Sequence, residues 1–477
     1  MNLERLIAGL APIEVVGRRS VEISDLAYDA RRAVPGALFF CVRGERADGH
    51  DFAPEAIERG AAALVVERRL DLPVPQVVVA SSRRAMAPAA DGFFGRPTQE
   101  LTVAGVTGTN GKTTTAYLLH GVLVAAGLRP GLLGTVETRV GSERRPAIRT
   151  TAEAIDLQRS FRELLDAGNE SCAMEATSHG SELHRLDCVR FAVLVFTNLS
   201  QDHLDFHGTM ERYFEAKRRL FAGVPAAVNI GDEWGRRLAR ELQGERVLTF
   251  GLTDDADIRP DDLELESTGA RLRIGDLELT TPLLGRFNVE NVLGTVAGAR
   301  LLGIDDEAVA AGIASVSGVP GRFETIDEGQ PFRVIVDYSH KPGALENVLR
   351  TARGIAEGRV FCVFGCGGDR DRGKRALMGR IARELADVAV VTSDNPRSED
   401  ALAIIGQIVA GAVTEFDAIE PDRAKAIECA LECAETGDVV VIAGKGHEQG
   451  QELADRTIPF DDRVVAREAL RRLGARA

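Results

Sequence analysis

The chain has 477 residues, 44% hydrophobic and 27% charged, an ordinary globular composition that excludes a disordered chain, a collagen and a small disulfide scaffold. At about 150 residues per domain, this length suggests roughly three domains. Lys and Arg number 58 against 72 Asp and Glu, a formal charge of −14, which argues against duplex nucleic acid as the main partner.

The opening MNLERLIAGL carries Glu4 and Arg5 and has no long apolar stretch, so it does not read as a signal peptide. Residues 37–42, 62–67 and 73–80 are short apolar runs among turn residues, which predicts a small α/β unit. Gly95 and Pro97 break the pattern and place a boundary near residue 96. A second unit opens with the apolar strand 101–108. It continues with helical patterns alternating with strands at 171–176 and 191–198, which predicts a parallel doubly wound sheet. Residues 257–282 alternate with period two and predict an antiparallel meander. After residues 318–324 a third α/β pattern follows, with strands at 332–339, 359–368, 387–394 and 438–446. Each ends in small or polar residues, where open parallel sheets bind ligands. No run approaches the roughly 20 apolar residues of a membrane-spanning helix. The seven cysteines include pairs spaced by four (Cys362/Cys366 and Cys429/Cys433) without a zinc pattern, which favours idle thiols in a reducing compartment.

The sharpest chemical signal is GVTGTNGKTTT at 105–115: a strand, a glycine-rich loop, Lys112, Thr113 and a helix. Such a loop turns N–H groups onto phosphates, its lysine reaches the terminal phosphates and its hydroxyl holds Mg²⁺. The match is imperfect, since Val106 stands where the first glycine belongs; a purely structural turn is the alternative. Glu175 ends a strand, as a second metal ligand or as a capping carboxylate. Residues 197–208 pack Asp202, His203, Asp205 and His207 together. His203 and His207 could pair on a zinc ion, although oxygen-rich surroundings suit magnesium better. Lys217 has Tyr213, Phe214, Leu220 and Phe221 at helical spacing, either as a snorkelling side chain or as a lysine placed inside. Asn288 and Asn291 share one helical turn, as adenine contacts or as caps. Asp394-Asn395-Pro396-Arg397 ends a strand as a turn or a binding loop, with Ser398 able to cap the next helix.

Together GTNGKT (108–113), MEATSHG with Glu175, NLSQDHLDFHG (198–208), Lys217, GRFNVEN (285–291), PGR (320–322), DYSHKPGAL (337–345), GCGGDRDRGKR (365–375), DNPR (394–397) and GKGHE (444–448) resemble the Mur ligase family of peptidoglycan synthesis over nearly the whole chain. Their order is similar to the member that adds a third amino acid, meso-diaminopimelate, to a UDP-N-acetylmuramoyl-dipeptide. The resemblance implies three domains: 1–95, a small α/β domain for the UDP-sugar-peptide; 96–319, a central P-loop-type ATPase with a parallel sheet plus the meander; and 320–477, a Rossmann-like domain for the amino acid. It implies amide-bond formation driven by ATP and Mg²⁺ through an acyl phosphate, in a cytoplasmic monomer with small-molecule partners and no membrane insertion.

The same resemblance assigns residues. Gly108, Thr109, Asn110, Gly111, Lys112, Thr113, Thr114, Asn288, Asn291, Arg322 and Asp337 become ATP contacts. Thr113, Glu175, His203 and Lys217 become metal ligands, with Lys112, Glu175, His203 and Lys217 catalytic. Lys217 becomes a carbamylated lysine, because a carbamate offers Mg²⁺ an anionic oxygen where an ammonium would repel it. Tyr28, Ala30, Glu45, Arg46, Ala47, Thr150, Thr151, Thr177, Leu183 and Arg185 match UDP-substrate positions; Ala30 and Leu183 depart from the usual serine and glutamine. Arg370, Asp394, Asn395, Pro396, Arg397, Gly444 and Glu448 match the amino-acid site. Arg397 suits the distal carboxylate of diaminopimelate. L-Lysine in its place would leave Arg397 facing a cation or unpaired, at a cost of several kcal/mol. L-Lysine as substrate, a folylpolyglutamate-synthetase-like ligase, a P-loop binding module and a zinc hydrolase are the alternatives.

Overall fold

The computed structural model describes every residue except 45, 46, 243, 245, 413 and 475–477. Three large sheets follow one another along the chain, each with its own buried core. The first has five strands in the order Glu14–Val16, Gln76–Val78, Ala63–Val66, Ala37–Phe40 and Asp25–Ala27, parallel except at the first edge. Residues 37–40 and 63–66 are buried throughout, as strands covered on both faces must be. Helix Ser82–Phe93 packs on helix Ala154–Asp166 of the central region, and Ala154 and Ile155 enter the N-terminal core.

The central sheet has six parallel strands, in order Val247–Phe250, Ala226–Asn229, Phe191–Phe196, Thr102–Thr107, Ser171–Glu175 and Pro130–Leu133. Glu137–Val140 and Glu143–Pro146 extend it antiparallel, which the charged run ERR hid from a hydrophobic-pattern reading. The expected meander is Asp262–Glu266, Gly269–Ile274 and Leu277–Thr281. Helices Lys112–Ala125 and Arg286–Leu302 bury Leu118, Leu119, Val289, Val292 and Val296 in one shared core. At such sites a Leu→Ala change costs about 2–5 kcal/mol, so this pair holds the loop before Lys112 on a rigid base.

The third sheet runs Glu324–Ile326 (antiparallel), Arg333–Asp337, Val439–Ala443, Val360–Phe364, Val388–Val391 and Ala418–Ile419. A two-stranded hairpin, Gly450–Glu452 with Thr457–Pro459, stands beside it. Among the described residues no helix is long and apolar enough to cross a membrane. Asp400, not Ser398, caps helix Ala401–Val409, with its side chain accepting from Ala403 N; the Ser398 hydroxyl donates to Asp369 Oδ1 at 2.7 Å instead.

Candidate active site

Register brings the chemistry together. Glu175 pairs with Val106 and Phe196 with Thr107, so three parallel strands end at one edge and release residues 108–111, 176–178 and 197–203 side by side. Gly108 has φ +151° and a Cβ there would stand 1.9 Å from Thr197 Oγ1; Gly111 has φ +82° and a Cβ would meet Asn291 Oδ1 at 2.3 Å. Only glycine fits either position. Thr109 N donates to Asn198 O and Asn110 N to Asn198 Oδ1, both at 2.9 Å. Lys112 Nζ folds back on the loop, donating to Gly108 O at 3.0 Å and Thr109 O at 2.9 Å. Burial, then the neighbouring Lys341 charge, lowers its pKa to about 8. Thr113 and Thr114 are buried at the start of the helix.

Glu175 is buried, and its Oε1 accepts from Thr135 N at 2.7 Å. Lys217 is 1% exposed. Its Nζ donates to Gly108 O at 2.9 Å and to Thr107 Oγ1 at 3.4 Å, and lies 4.8 Å from the Tyr213 ring centre. Among the described residues no carboxylate touches it. Burial, then Lys112, holds its pKa well below the ordinary lysine value. A snorkelling lysine would reach water, and Lys217 does not.

His203 has φ +52° and its Nε2 lies 2.9 Å from Asp202 Oδ2; burial lowers its pKa. His207 is buried against Tyr213, with Nε2 3.0 Å from Ser178 Oγ. The two histidines thus have separate partners, and the zinc pair is not assembled. Among the described residues no three His, Cys, Asp or Glu side chains are grouped to hold a metal. The donors at this edge are a carboxylate, a hydroxyl and an imidazole, with the buried Lys217 amine beside them. That set is too sparse for a protein-only cage but fits Mg²⁺, which keeps waters and phosphate oxygens in its shell.

The third sheet closes on this edge. Arg322 Nη2 donates to Thr113 Oγ1 at 3.2 Å, and its guanidinium lies 4.4 Å from the Tyr338 ring centre. Lys341, at the N-terminus of helix Pro342–Ile355, forms an ion pair with Asp202, 139 positions earlier, at 16% and 12% side-chain exposure. Burial raises the Asp202 carboxyl, but His203 and Lys341 outweigh it and hold its pKa well below the usual range. Sequence reasoning placed Asp202 only within the 197–208 cluster and assigned no role to Lys341. Asp337 is buried, accepting from Phe323 N at 2.7 Å and from the Ser339 hydroxyl; burial raises its pKa. Asn288 Nδ2 donates to Leu284 O at 2.8 Å, Asn291 Nδ2 to Asn288 Oδ1 at 3.0 Å, and Thr115 Oγ1 to Asn291 Oδ1 at 3.3 Å. The two asparagines link one helix to the other behind the loop.

Facing the N-terminal domain, Thr151 Oγ1 donates to Glu175 O at 2.9 Å and accepts from Thr177 N at 3.1 Å. Thr135 Oγ1 donates to Thr150 Oγ1 at 3.0 Å. Arg185 is buried, reaching Thr151 O at 3.0 Å and Glu153 at 2.7 Å; burial lowers its pKa. Leu183 N donates to His179 O at 2.8 Å, just ahead of it. Tyr28 binds the Asp156 carboxylate across the domain boundary, and burial raises its pKa. Ala30 opens a short 3₁₀ turn, Ala47 is exposed, and Glu45 and Arg46 lie outside the described residues.

The loop 394–397 forms a separate cluster. Asp394, Asn395 and Pro396 are buried. Lys445 Nζ donates to Asn395 Oδ1 at 2.8 Å and to Glu448 Oε2 at 3.2 Å, and Asn395 Nδ2 donates to Glu448 Oε2 at 2.8 Å. Gly444 N donates to Asp337 O at 3.0 Å, which ties this cluster to the first. Arg397 has φ +53°; its Nε donates to Glu452 Oε2 at 2.5 Å and Nη1 to Gly368 O at 2.9 Å. The expectation that Arg397 lies unpaired in the absence of a second carboxylate on the substrate is therefore corrected: Glu452 partners it. Arg370 is exposed and donates to Asp369 O at 3.0 Å, beside the cluster and not within it.

Three parts of the chain match described families: residues 22–92 the Mur ligase family catalytic domain, 106–299 the Mur ligase middle domain and 321–446 the Mur ligase glutamate ligase domain. The chain is 48% identical over 468 residues to the UDP-N-acetylmuramoyl-L-alanyl-D-glutamate–2,6-diaminopimelate ligase of Solibacter usitatus, covering 95% of this chain and 94% of that one. Identity to the enzyme of the same name from Geobacillus thermodenitrificans is 46% over 487 residues, with 99% of each chain covered. A solved structure of a ligase bearing that name superposes with a TM-score of 0.70 at 31% identity, over 99% of both chains.

Proposed function

The chain belongs to the Mur ligase family, and from that premise we infer which of its residues carry the reaction. It is an ATP-dependent ligase that forms an amide bond between UDP-N-acetylmuramoyl-L-alanyl-D-glutamate and 2,6-diaminopimelate, a step in building the peptidoglycan precursor. The γ-phosphoryl group of ATP passes to the D-glutamyl side-chain carboxylate, giving an acyl phosphate and ADP. The diaminopimelate amine attacks that carbonyl carbon, and phosphate leaves. Charge gathers on phosphoryl oxygens at both steps, so placed cations do most of the work.

Lys112 supplies such a charge from the loop, and Arg322 brings a second from the C-terminal domain. A bound Mg²⁺ neutralises phosphate oxygens; Thr113, Glu175, His203 and a carbamylated Lys217 would hold it. Lys217 is suited to carbamylation because its amine is buried, its pKa is lowered by that burial and, among the described residues, no carboxylate touches it. The Nζ lone pair forms a bond to the carbon of CO₂ and a proton is released, leaving an anionic oxygen donor. Asn288, Asn291 and Asp337 frame the nucleotide. Tyr28, Thr150, Thr151, Thr177 and Arg185 face the UDP-sugar-peptide, with Ala30, Glu45, Arg46, Ala47 and Leu183 on the same side. The 394–397 loop, Arg370, Gly444 and Glu448 receive meso-diaminopimelate. The domains divide at 1–95, 96–319 and 320–477. One chain supplies every residue named, so a monomer suffices, and seven unbridged cysteines suit the reducing cytoplasm.

The observation that carries this assignment is the shared edge that holds Lys112, Glu175 and Lys217 and that Arg322, from another domain, reaches at Thr113. The test is phosphate release with UDP-N-acetylmuramoyl-dipeptide, ATP and a panel of amino acids. Release should require both substrates and be fastest with meso-diaminopimelate. Equal efficiency with L-lysine would sink the amino-acid assignment and leave the ligase intact.

A further inference from the structure

Arg397 holds a long side chain at φ +53°, a conformation most residues avoid and one that persists only where its surroundings enforce it. The enforcement comes from the hairpin Gly450–Glu452/Thr457–Pro459. Glu452 O accepts from Arg397 N at 3.0 Å, Glu452 N donates to Asn395 Oδ1 at 3.0 Å, and Gln451 Nε2 donates to Asp394 O at 2.6 Å. The Glu452 carboxylate then takes Arg397 Nε at 2.5 Å while Gly368 O takes Nη1. Nη2 has no partner among the described residues, so both of its N–H groups are left open. Glu452 is itself half exposed, so it does not act as core packing.

We propose that Glu452 is a positioning residue for amino-acid recognition: it fixes the Nε side of Arg397 so that Nη2 meets the distal carboxylate of diaminopimelate. This rests on the assignment of Arg397 to the amino-acid site. A guanidinium with four side-chain torsions loses much rotamer freedom on binding, and a carboxylate that has already ordered it removes that cost from the ligand. The geometry also explains why a hairpin with no apolar alternation stands here: its function is to grip the loop and not to build a core.

The experiment is steady-state kinetics on Glu452→Ala, Glu452→Gln, Arg397→Ala and the double variant Arg397→Ala/Glu452→Ala. Glu452→Ala should raise KM for meso-diaminopimelate about 10-fold, in the range seen when a supporting partner is lost. Its kcat, its KM values for ATP and UDP-substrate and its Tm should stay near those of the unmodified enzyme. Glu452→Gln keeps an oxygen for Nε and should restore most of the affinity. The double variant should be no worse than Arg397→Ala alone, since a positioning residue has nothing left to position. Additive losses would overturn the proposal and mark Glu452 as a direct ligand contact. An unchanged KM in Glu452→Ala, with a raised one in Arg397→Ala, would overturn it while sparing the Arg397 assignment. An unchanged KM in Arg397→Ala would overturn both.

Discussion

Lys217 and Lys445 are both buried lysines, 1% and 0% exposed, and they are buried in different ways. Lys445 lies against Glu448 and Asn395, a cation whose hydrogen bonds are met by a carboxylate and an amide. Lys217 has a carbonyl, a hydroxyl and an aromatic face, with no anion in contact among the described residues. Burying an unpaired ammonium costs several kcal/mol, and that cost drives the Lys217 pKa down. The same contrast runs through the two sites around them. The edge at Lys112 is built mainly from backbone, glycine and buried polar groups, with one interdomain ion pair, Asp202–Lys341. The 394–397 cluster is built from side-chain ion pairs, some open to water. Damage to the first should remove chemistry; damage to the second should loosen one substrate.

The largest effect tests the first half of that contrast. Lys112→Ala should cut phosphate release by about 1000-fold or more, because a charge aimed at the transferring group is lost. Tm should move little, since among the described residues the ammonium hydrogen-bonds only to its own loop. Near-native release would break the assignment. Lys217→Ala follows: it should be close to inactive, regain part of its activity with added short-chain carboxylates, and fail to recover as Lys217→Arg. Lys445→Ala sharpens the comparison. It should raise KM for diaminopimelate, keep kcat within about 10-fold as expected for a supporting residue, and gain nothing from added carboxylates. Rescue of both lysine variants would erase the distinction.

Arg397→Ala is expected to be milder than either central-site variant. KM for meso-diaminopimelate should rise about 10- to 100-fold, the range for losing a charged contact, with KM for ATP unmoved. Because Glu452 partners Arg397, a preference against lysine is expected to stem from a missing carboxylate bond and not from a stranded charge. The variant should therefore lose preference by weakening diaminopimelate, without turning lysine into a good substrate. A variant that gains strongly on lysine would show that repulsion sets the choice.

These two regions were unequally legible in the sequence. The central site was readable because its parts are local: glycines 108 and 111, Lys112 and Thr113 lie within six positions, after an apolar strand. Lys217 was readable as an oddity, a charge at a helical position surrounded by aromatics, but burial decided between its two meanings. The Asp202–Lys341 pair was not, because 139 positions separate partners on different domains and neither residue is unusual alone. Glu452 was missed because GQEL and RTIP are short, polar strands whose pairing is set by the loop they hold. The zinc pairing of His203 and His207 failed because His203 sits before the helix in a left-handed conformation, which turns the expected i, i+4 pair apart.

The smallest expected effect concerns acid. Glu399, two positions after Arg397, accepts from Arg375 Nη2 at 2.9 Å, from Arg375 Nη1 at 3.0 Å and from Asp369 N at 2.7 Å, and so anchors the base of the 394–397 loop. The Arg375 hydrogen bonds, then that backbone bond, lower its pKa from 4.5 to about 2. A carboxyl whose folded value is depressed contributes stability that is complete above its unfolded pKa and disappears as pH falls through the folded one. Its window therefore runs from about 4.5 down to about 2. Glu399→Gln keeps size and hydrogen-bonding oxygen but lacks the charge, so it should lower Tm by a few degrees at pH 6. That gap should begin to narrow below pH 4.5 and close toward pH 2, as the native carboxyl takes up its own proton. Thermal unfolding of both proteins across that range measures it. A gap constant from pH 6 to pH 3 would mean that the loop is held by packing, and would remove the contrast between a backbone-built site and one built on ion pairs.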